Sequence, residues 1–203
     1  MSKNGKLRAI LAVATLVSAT VIAIEVYLPY KRANQIRSAL LAIDWFHSDT
    51  DTIKHFADKF GGKVECNQEH CESKINIRNR FLAMLHLAPL MNFRVLVHSK
   101  SNKIEGYTLT LSNYGKGESS VWIVSGYEPR SGLEKGQFFR VDTVNKRGNH
   151  SVIVRMTPSA TEDQRMLLKD LEVWCLSRLG GCSQEQLGPE IWKLGTFSHP
   201  ADE

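Results

Sequence analysis

The chain has 203 residues, 42% hydrophobic and 23% charged, which excludes a disordered polymer and allows one domain with a real core. Part of its net charge of +5 sits at the N-terminus: without Lys3, Lys6, Arg8 and Glu25, 23 basic residues face 20 acidic ones. That surplus of three is unexceptional and gives no reason to expect a nucleic-acid partner.

A short basic tail, residues 1–8, precedes the run AILAVATLVSATVIAIEVYL from Ala9 to Leu28. At ~1.5 Å per residue this run reaches about 30 Å, the thickness of a bilayer's hydrocarbon core, so a transmembrane anchor is expected. Glu25 is its only charge and lies about one turn from the end, where its carboxylate reaches the interface, and Tyr27 and Tyr30 stand as an aromatic belt would. A cleaved leader is the rival reading, because Val17-Ser18-Ala19 offers small residues to a signal peptidase, but the apolar run continues well past that point. Lys3, Lys6 and Arg8 before the run balance Lys31, Arg32 and Arg37 after it, so charge leaves the orientation open.

Residues 29–47 read as a juxtamembrane helix. Ile36, Leu40 and Ile43 share one face between Arg32 and Phe46, and this helix can continue the anchor out of the bilayer. An α+β domain is expected over 48–194. Ser48 reads as the N-cap of its first helix, with Asp51 at the capping-box position, Ile53, Phe56, Ala57 and Phe60 on one face, and Gly61-Gly62 as the stop.

From Lys63 the period changes to two. Lys63 to Cys66 and Ser73 to Arg78 read as a hairpin, followed by a short helix or apolar loop over Phe81 to Leu90. Strands are then expected over Phe93 to His98, Ile104 to Leu111, Val121 to Tyr127, Phe138 to Val144 and Val152 to Thr157. Short connections such as Lys100-Ser101-Asn102-Lys103 and Lys146-Arg147-Gly148-Asn149 favour antiparallel neighbours. Tyr114 to Gly117 reads as a flexible loop. Thr161 is expected to cap a final helix to about Leu179, with Leu167, Leu168, Leu171, Trp174 and Cys175 facing the sheet. The fold class is thus an N-terminal transmembrane helix followed by a twisted antiparallel sheet of five to seven strands against two or three helices, with a loose tail over 195–203.

The four cysteines fall into local pairs, Cys66 with Cys71 and Cys175 with Cys182. Local disulfides are the simplest reading and require an oxidising compartment, hence an extracytoplasmic domain. Free thiols, or a metal held by Cys66, His70 and Cys71, are the alternatives, although that spacing matches no common knuckle.

No nucleophile elbow, His-Glu-x-x-His, P-loop or Cys-x-x-Cys occurs. His47, His55, His70, His86, His98 and His150 are scattered, so no catalytic, cofactor or metal site is read. Arg78, Arg80 and Arg94 are a candidate basic patch for lipid headgroups. Trp122, Tyr127 and Trp174 are candidates for an aromatic ligand groove, although core packing explains the same residues. Asn149-His150-Ser151 fits the glycosylation sequon, a short match that arises often by chance.

The stretches Phe60-Gly-Gly-Lys-Val-Glu-Cys66, Cys71, Ile77 to Pro89 and Cys175 to Cys182 together resemble uncharacterised bacterial single-pass proteins with an extracytoplasmic domain. The resemblance covers about a quarter of the chain. It implies a bacterial inner membrane with the domain facing the periplasm, and it carries no activity. The expected function is a non-enzymatic protein-interaction or scaffold module of the envelope, held to the bilayer by Ala9 to Leu28. A small-ligand or lipid sensor and a hydrolase with an unfamiliar site are the alternatives.

Overall fold

The computed structural model describes residues 3–44, 47–67, 70–115, 118–127, 131–146 and 149–194. One helix, α1 (Lys3–Ala42), carries the chain from the apolar run into the domain and is roughly 60 Å long. It is long and apolar enough to cross a membrane, with a best-window mean hydropathy of 2.1 and no residue of that window buried. Within this half, Thr15 and Thr20 donate back to the Leu11 and Leu16 carbonyls at 2.9 Å, so their hydroxyls are satisfied inside the helix.

Past Pro29 the helix changes partner. Ala33, Ile36 and Leu40 enter the domain core, with Tyr30, Ala39, Leu41 and Ile43 packed against it. The stretch expected as a juxtamembrane helix is therefore an integral wall of the domain; its end at Trp45 and Phe46 lies outside the described residues.

Helix α2 (Thr50–Lys59) starts one residue later than the Ser48 reading. Asp49 is the N-cap: it accepts from the Thr52 backbone N–H and hydroxyl, both at 2.9 Å, while the Ser48 hydroxyl donates to the Asp44 carbonyl at 2.7 Å. A carboxylate is the stronger acceptor and its charge suits a helix N-terminus, and the Thr52 hydrogen bond holds the Asp49 carboxyl below its ordinary range. The other end closes as expected. Gly61 takes φ 59°, its N–H bonds the Asp58 carbonyl at 3.2 Å, and Gly62 N–H bonds the Ala57 carbonyl at 2.7 Å.

Seven strands form one sheet: β1 (Lys63–Cys66), β2 (His70–Arg78), β3 (Met91–Lys100), β4 (Lys103–Asn113), β5 (Ser119–Gly126), β6 (Phe139–Lys146) and β7 (Asn149–Met156). Helix α3 (Arg80–Met84) lies between β2 and β3. The order is β1-β2-β3-β4-β5-β7-β6, and β5 pairs with β7 in parallel, which corrects the all-antiparallel expectation. The physical reason is burial: β7 carries Val152, Val154 and Met156 with no exposed surface, while β6 carries Arg140, Asp142 and Asn145 and suits an edge. A connection of a dozen residues between β5 and β6 lets the chain step past the inner position. The β3–β4 hairpin turns on Ser101 and Asn102, both left-handed at φ 49° and 65°, as a two-residue turn requires.

Helices cover one face of the sheet. Ile75, Ile77, Phe93, Val95, Leu109, Leu111, Val121, Ile123, Val152 and Val154 point into that core, in register across the strands. The opposite face carries Arg94, Thr110, Trp122, Ile153 and Asp142 in one cross-strand row.

Thr161 caps helix α4 (Glu162–Met166) in a full capping box with Gln164. The single helix expected to Leu179 does not form. It gives way to 3-10 turns at Leu167–Asp170 and Val173–Ser177, separated by extended backbone at Leu171. Leu168, Leu171, Val173, Cys175 and Leu176 are all buried, and at 100° per residue they would spread over more than half of a helix's circumference. Breaking the helix lets each reach the core. The freed carbonyls have tertiary partners: Arg37 Nη1 donates to Lys169 at 2.9 Å and to Leu171 at 2.5 Å. Asp170 in turn accepts from Ile191 N–H at 2.8 Å and so caps the last helix, α5 (Pro189–Leu194). The tail expected to be loose begins at Gly195, outside the described residues, as do Lys116, Gly117, Arg147 and Gly148 of the two loops named above.

Candidate functional site

The register of β2 places charge along one margin of the sheet. Ser73, Ile75 and Ile77 point into the core, so Glu72, Lys74, Asn76 and Arg78 point outward. β1 has four residues and its pairing ends at Lys63 opposite Lys74, which leaves β2 from Ile75 to Arg78 without a strand on that side. Helix α1 runs past this margin with Leu28, Arg32, Gln35 and Ala39 one above the other, beside its buried stripe.

The space between is an open groove of about 1450 Å³. Its α1 wall extends from Glu25 to Ala39, about 21 Å along the helix. Seven cationic side chains line it, Lys31, Arg32, Lys59, Lys63, Lys74, Arg78 and Arg80, against the three carboxylates Glu25, Glu65 and Glu72. Arg32 Nη2 donates to the Phe60 carbonyl and so ties the end of α2 to α1. A Cβ at Gly61 would come within 2.6 Å of that nitrogen, so a side chain there would displace the Arg32 guanidinium, while the positive φ itself favours glycine. Lys59 stands 5.5 Å from the Phe60 ring centre. Among the described residues, Lys31, Lys63, Lys74, Arg78 and Arg80 have no ion-pair partner. Among the described residues the lining contains no histidine and no cysteine, and Ser38 is its single hydroxyl. What the groove offers is positive charge, hydrogen-bond donors and a strand margin.

The four cysteines stand as two pairs at disulfide distance, Cys66 with Cys71 at 2.05 Å and Cys175 with Cys182 at 1.99 Å. Cys66 and Cys71 face each other in the β1–β2 register. Cys175 lies in a 3-10 turn and not in the last turns of a helix, yet the chain still folds back to Cys182 past Gly180 and Gly181, both left-handed.

The structure does not join Trp122, Tyr127 and Trp174 in one groove. Trp122 lies on the open face, where its Nε1 donates to Ser120 Oγ at 2.7 Å, and Ser120 Oγ meets Ser151 Oγ at 2.7 Å. Tyr127 follows the end of β5. Trp174 belongs to the helical layer on the other face, with the Arg178 guanidinium 5.0 Å from its ring centre. Arg78 and Arg80 share the groove, whereas Arg94 stands one strand away, opposite Asn76.

A second charged cluster lies on the open face. Asp142 sits between Arg140 and Arg155, with Arg155 Nε donating at 2.8 Å, and Arg155 Nη1 also donates to the Ser131 carbonyl at 3.2 Å. Burial raises the Asp142 carboxyl, and hydrogen bonds from the two arginines outweigh it, so the group is held below its usual range. This cluster fastens the β5–β6 connection to the sheet. Among the described residues no three of His, Cys, Asp and Glu gather as metal ligands.

Reasoning from sequence found Arg78 and Arg80 but not the groove's other cations. The available signal was the alternation Glu72, Lys74, Asn76, Arg78 on a strand whose hairpin partner is half its length. No family model, no curated protein and no solved structure matches the chain.

Proposed function

We propose that the protein is a single-pass protein of the cell envelope, with its domain extracytoplasmic, that acts as a non-enzymatic binding module for an acidic polypeptide segment of an envelope partner. The groove beside α1 carries this reading: five cations without carboxylate partners among the described residues line a channel next to the helix that leaves the apolar run. Its volume of about 1450 Å³ exceeds the roughly 300 to 1,000 Å³ of small-molecule pockets. Its length beyond Leu28, about 15 Å along α1, suits about four residues of extended chain. The two cysteine pairs support an oxidising compartment, and the resemblance to bacterial single-pass proteins supports reading it as the periplasm.

Sidedness is tested by labelling intact cells with a membrane-impermeant maleimide. Labelling only after treatment with an impermeant reductant is expected, and labelling without reductant that needs lysis overturns the orientation. Binding is tested on the full chain in neutral phosphatidylcholine nanodiscs with fluorescent hexaglutamate peptide. Saturable, salt-sensitive binding is expected, weakened about tenfold or more by Arg78→Glu with Arg80→Glu, a loss of about 1.4 kcal/mol per factor of ten. Equal weakening by Lys100→Glu with Lys103→Glu, at the opposite end of the sheet, would reduce the groove to general surface charge.

A further inference from the structure

We infer that the end of the domain nearest the apolar helix is itself a bilayer-docking surface, in which the β2–β3 loop and the turn at Leu179 settle into the interface of the membrane that α1 crosses. The inference rests on the reading of residues 10–28 as a membrane span. One hydrogen bond sets the level: Ser177 Oγ donates to the Val26 carbonyl at 2.6 Å, two residues short of the end of the apolar run. If residues up to Leu28 lie in hydrocarbon, Ser177 stands at the interface, and the chain that follows it has nowhere else to turn.

That chain meets the β2–β3 loop. Gly180 N–H donates to the Leu87 carbonyl at 2.7 Å, and Gly181 packs so closely on Pro89 that a Cβ would come within 2.6 Å of its ring. The loop is a built element. The Asn79 side chain, 2% exposed, donates to the Pro89 carbonyl at 3.0 Å and accepts from Met91 N–H at 2.7 Å, which closes the loop at its neck. Helix α3 ends in a left-handed His86, with Leu87 N–H on the Leu82 carbonyl at 2.9 Å, so only Leu82 of its apolar residues is anchored fully inside.

What this rigid end presents to solvent is apolar. Met84 and Leu179 are 69% and 66% exposed, and Leu85 and Leu87 are exposed beside them. Four such side chains on two segments joined by the Gly180–Leu87 hydrogen bond, with Ser177 of the second segment tied to Val26 of the helix, form a patch of the kind that marks a membrane or protein contact. Its rim carries Arg78, Arg80 and the Trp174–Arg178 pair, side chains that favour headgroup depth. The opposite end carries the exposed polar turn Ser101-Asn102. Continuity with the apolar helix selects lipid as the occupant.

The test is depth-dependent quenching in full-length protein reconstituted into phosphatidylcholine–phosphatidylglycerol vesicles, with both native cysteine pairs oxidised. A bimane label is placed singly at Leu16→Cys, Leu85→Cys, Leu179→Cys or Ser101→Cys, all exposed positions, and doxyl lipids or aqueous iodide serve as quenchers. Doxyl quenching at Leu16, Leu85 and Leu179, but not at Ser101, is the expected result. If Leu16 is quenched while Leu85 and Leu179 answer only to iodide, the anchor stands and the docking surface falls. If Leu85 and Leu179 are shielded from both quenchers, a protein covers the patch, whether a second copy or another chain, and the inference is overturned. An unquenched Leu16 removes the membrane span, and the docking surface with it.

Discussion

The two halves of α1 belong to one unbroken helix and meet different surroundings. Residues 10–28 are apolar on every face apart from Glu25 and bury no residue of the hydrophobic window, whereas residues 29–42 bury one stripe, Ala33, Ile36 and Leu40, and keep Asn34, Gln35, Arg37 and Ser38 off it. Periodicity separates the two halves: only the second confines its apolar residues to one stripe, as a helix packed on a core does. Pro29 marks the change. It has no N–H for the Glu25 carbonyl, and one residue on, the Val26 carbonyl takes a hydroxyl from the domain instead.

The strongest way to break this comparison is to truncate the same residue type in each half. Leu40→Ala removes a side chain that is 2% exposed and is expected to cost about 2 to 5 kcal/mol of domain stability, read by urea denaturation in detergent. Leu16→Ala touches no part of the domain and should leave its unfolding midpoint where it was. Equal losses would mean that the first half is packed on the domain in solution.

Next in size are the two cysteine pairs, which close loops of nearly equal length in different places. By loop entropy each is worth about 2 to 3 kcal/mol. Cys175 and Cys182 are buried, Cys175 in the segment packed on α1, while Cys66 is exposed at the sheet margin. Cys175→Ser with Cys182→Ser should therefore lower the melting temperature more than Cys66→Ser with Cys71→Ser, and only the former should expose α1 to protease near Ala33.

A site remote from α1 gives the control. With the Asp142 carboxyl held below its ordinary range by Arg140 and Arg155, the folded state favours the anion. Its contribution is full at neutral pH and is lost as the pH falls below about 4 toward the folded value. Asp142→Asn should cost about 1 to 2 kcal/mol at pH 7 and flatten the acid limb of the stability profile, with the α1 packing unchanged.

Much of this was legible in the sequence, for identifiable reasons. The apolar run, the α2 stop at Gly61-Gly62, the local cysteine pairs and the strand positions all follow from short-range pattern. The parallel β5–β7 pair was not legible, because which of two adjacent strands takes the inner position depends on their relative burial. The final helix failed where Leu168, Leu171, Val173 and Leu176 needed more directions than one helix face provides. The groove was hidden because its walls are distant in sequence: nothing local says that Arg32 and Arg78, 46 residues apart, line one channel. Arg32 and Arg37, which read as topogenic charges, prove to hold backbone carbonyls.

The smallest predicted effect lies where the halves meet. Ser177→Ala deletes one hydroxyl and should cost about 0.5 to 1.5 kcal/mol, the net worth of a single hydrogen bond. Its informative consequence is local. The Val26 carbonyl keeps its place in the helix, so the core packing of Ile36 and Leu40 should persist and the global midpoint should move little. The turn from Arg178 to Gly181 loses its hydroxyl tie to α1 at this level, and its amides should exchange up to about tenfold faster, together with that of Leu87 across the Gly180 hydrogen bond. If those amides keep their protection while the midpoint falls, Ser177 supports the fold as a whole and does not set the height at which the domain stands on its helix.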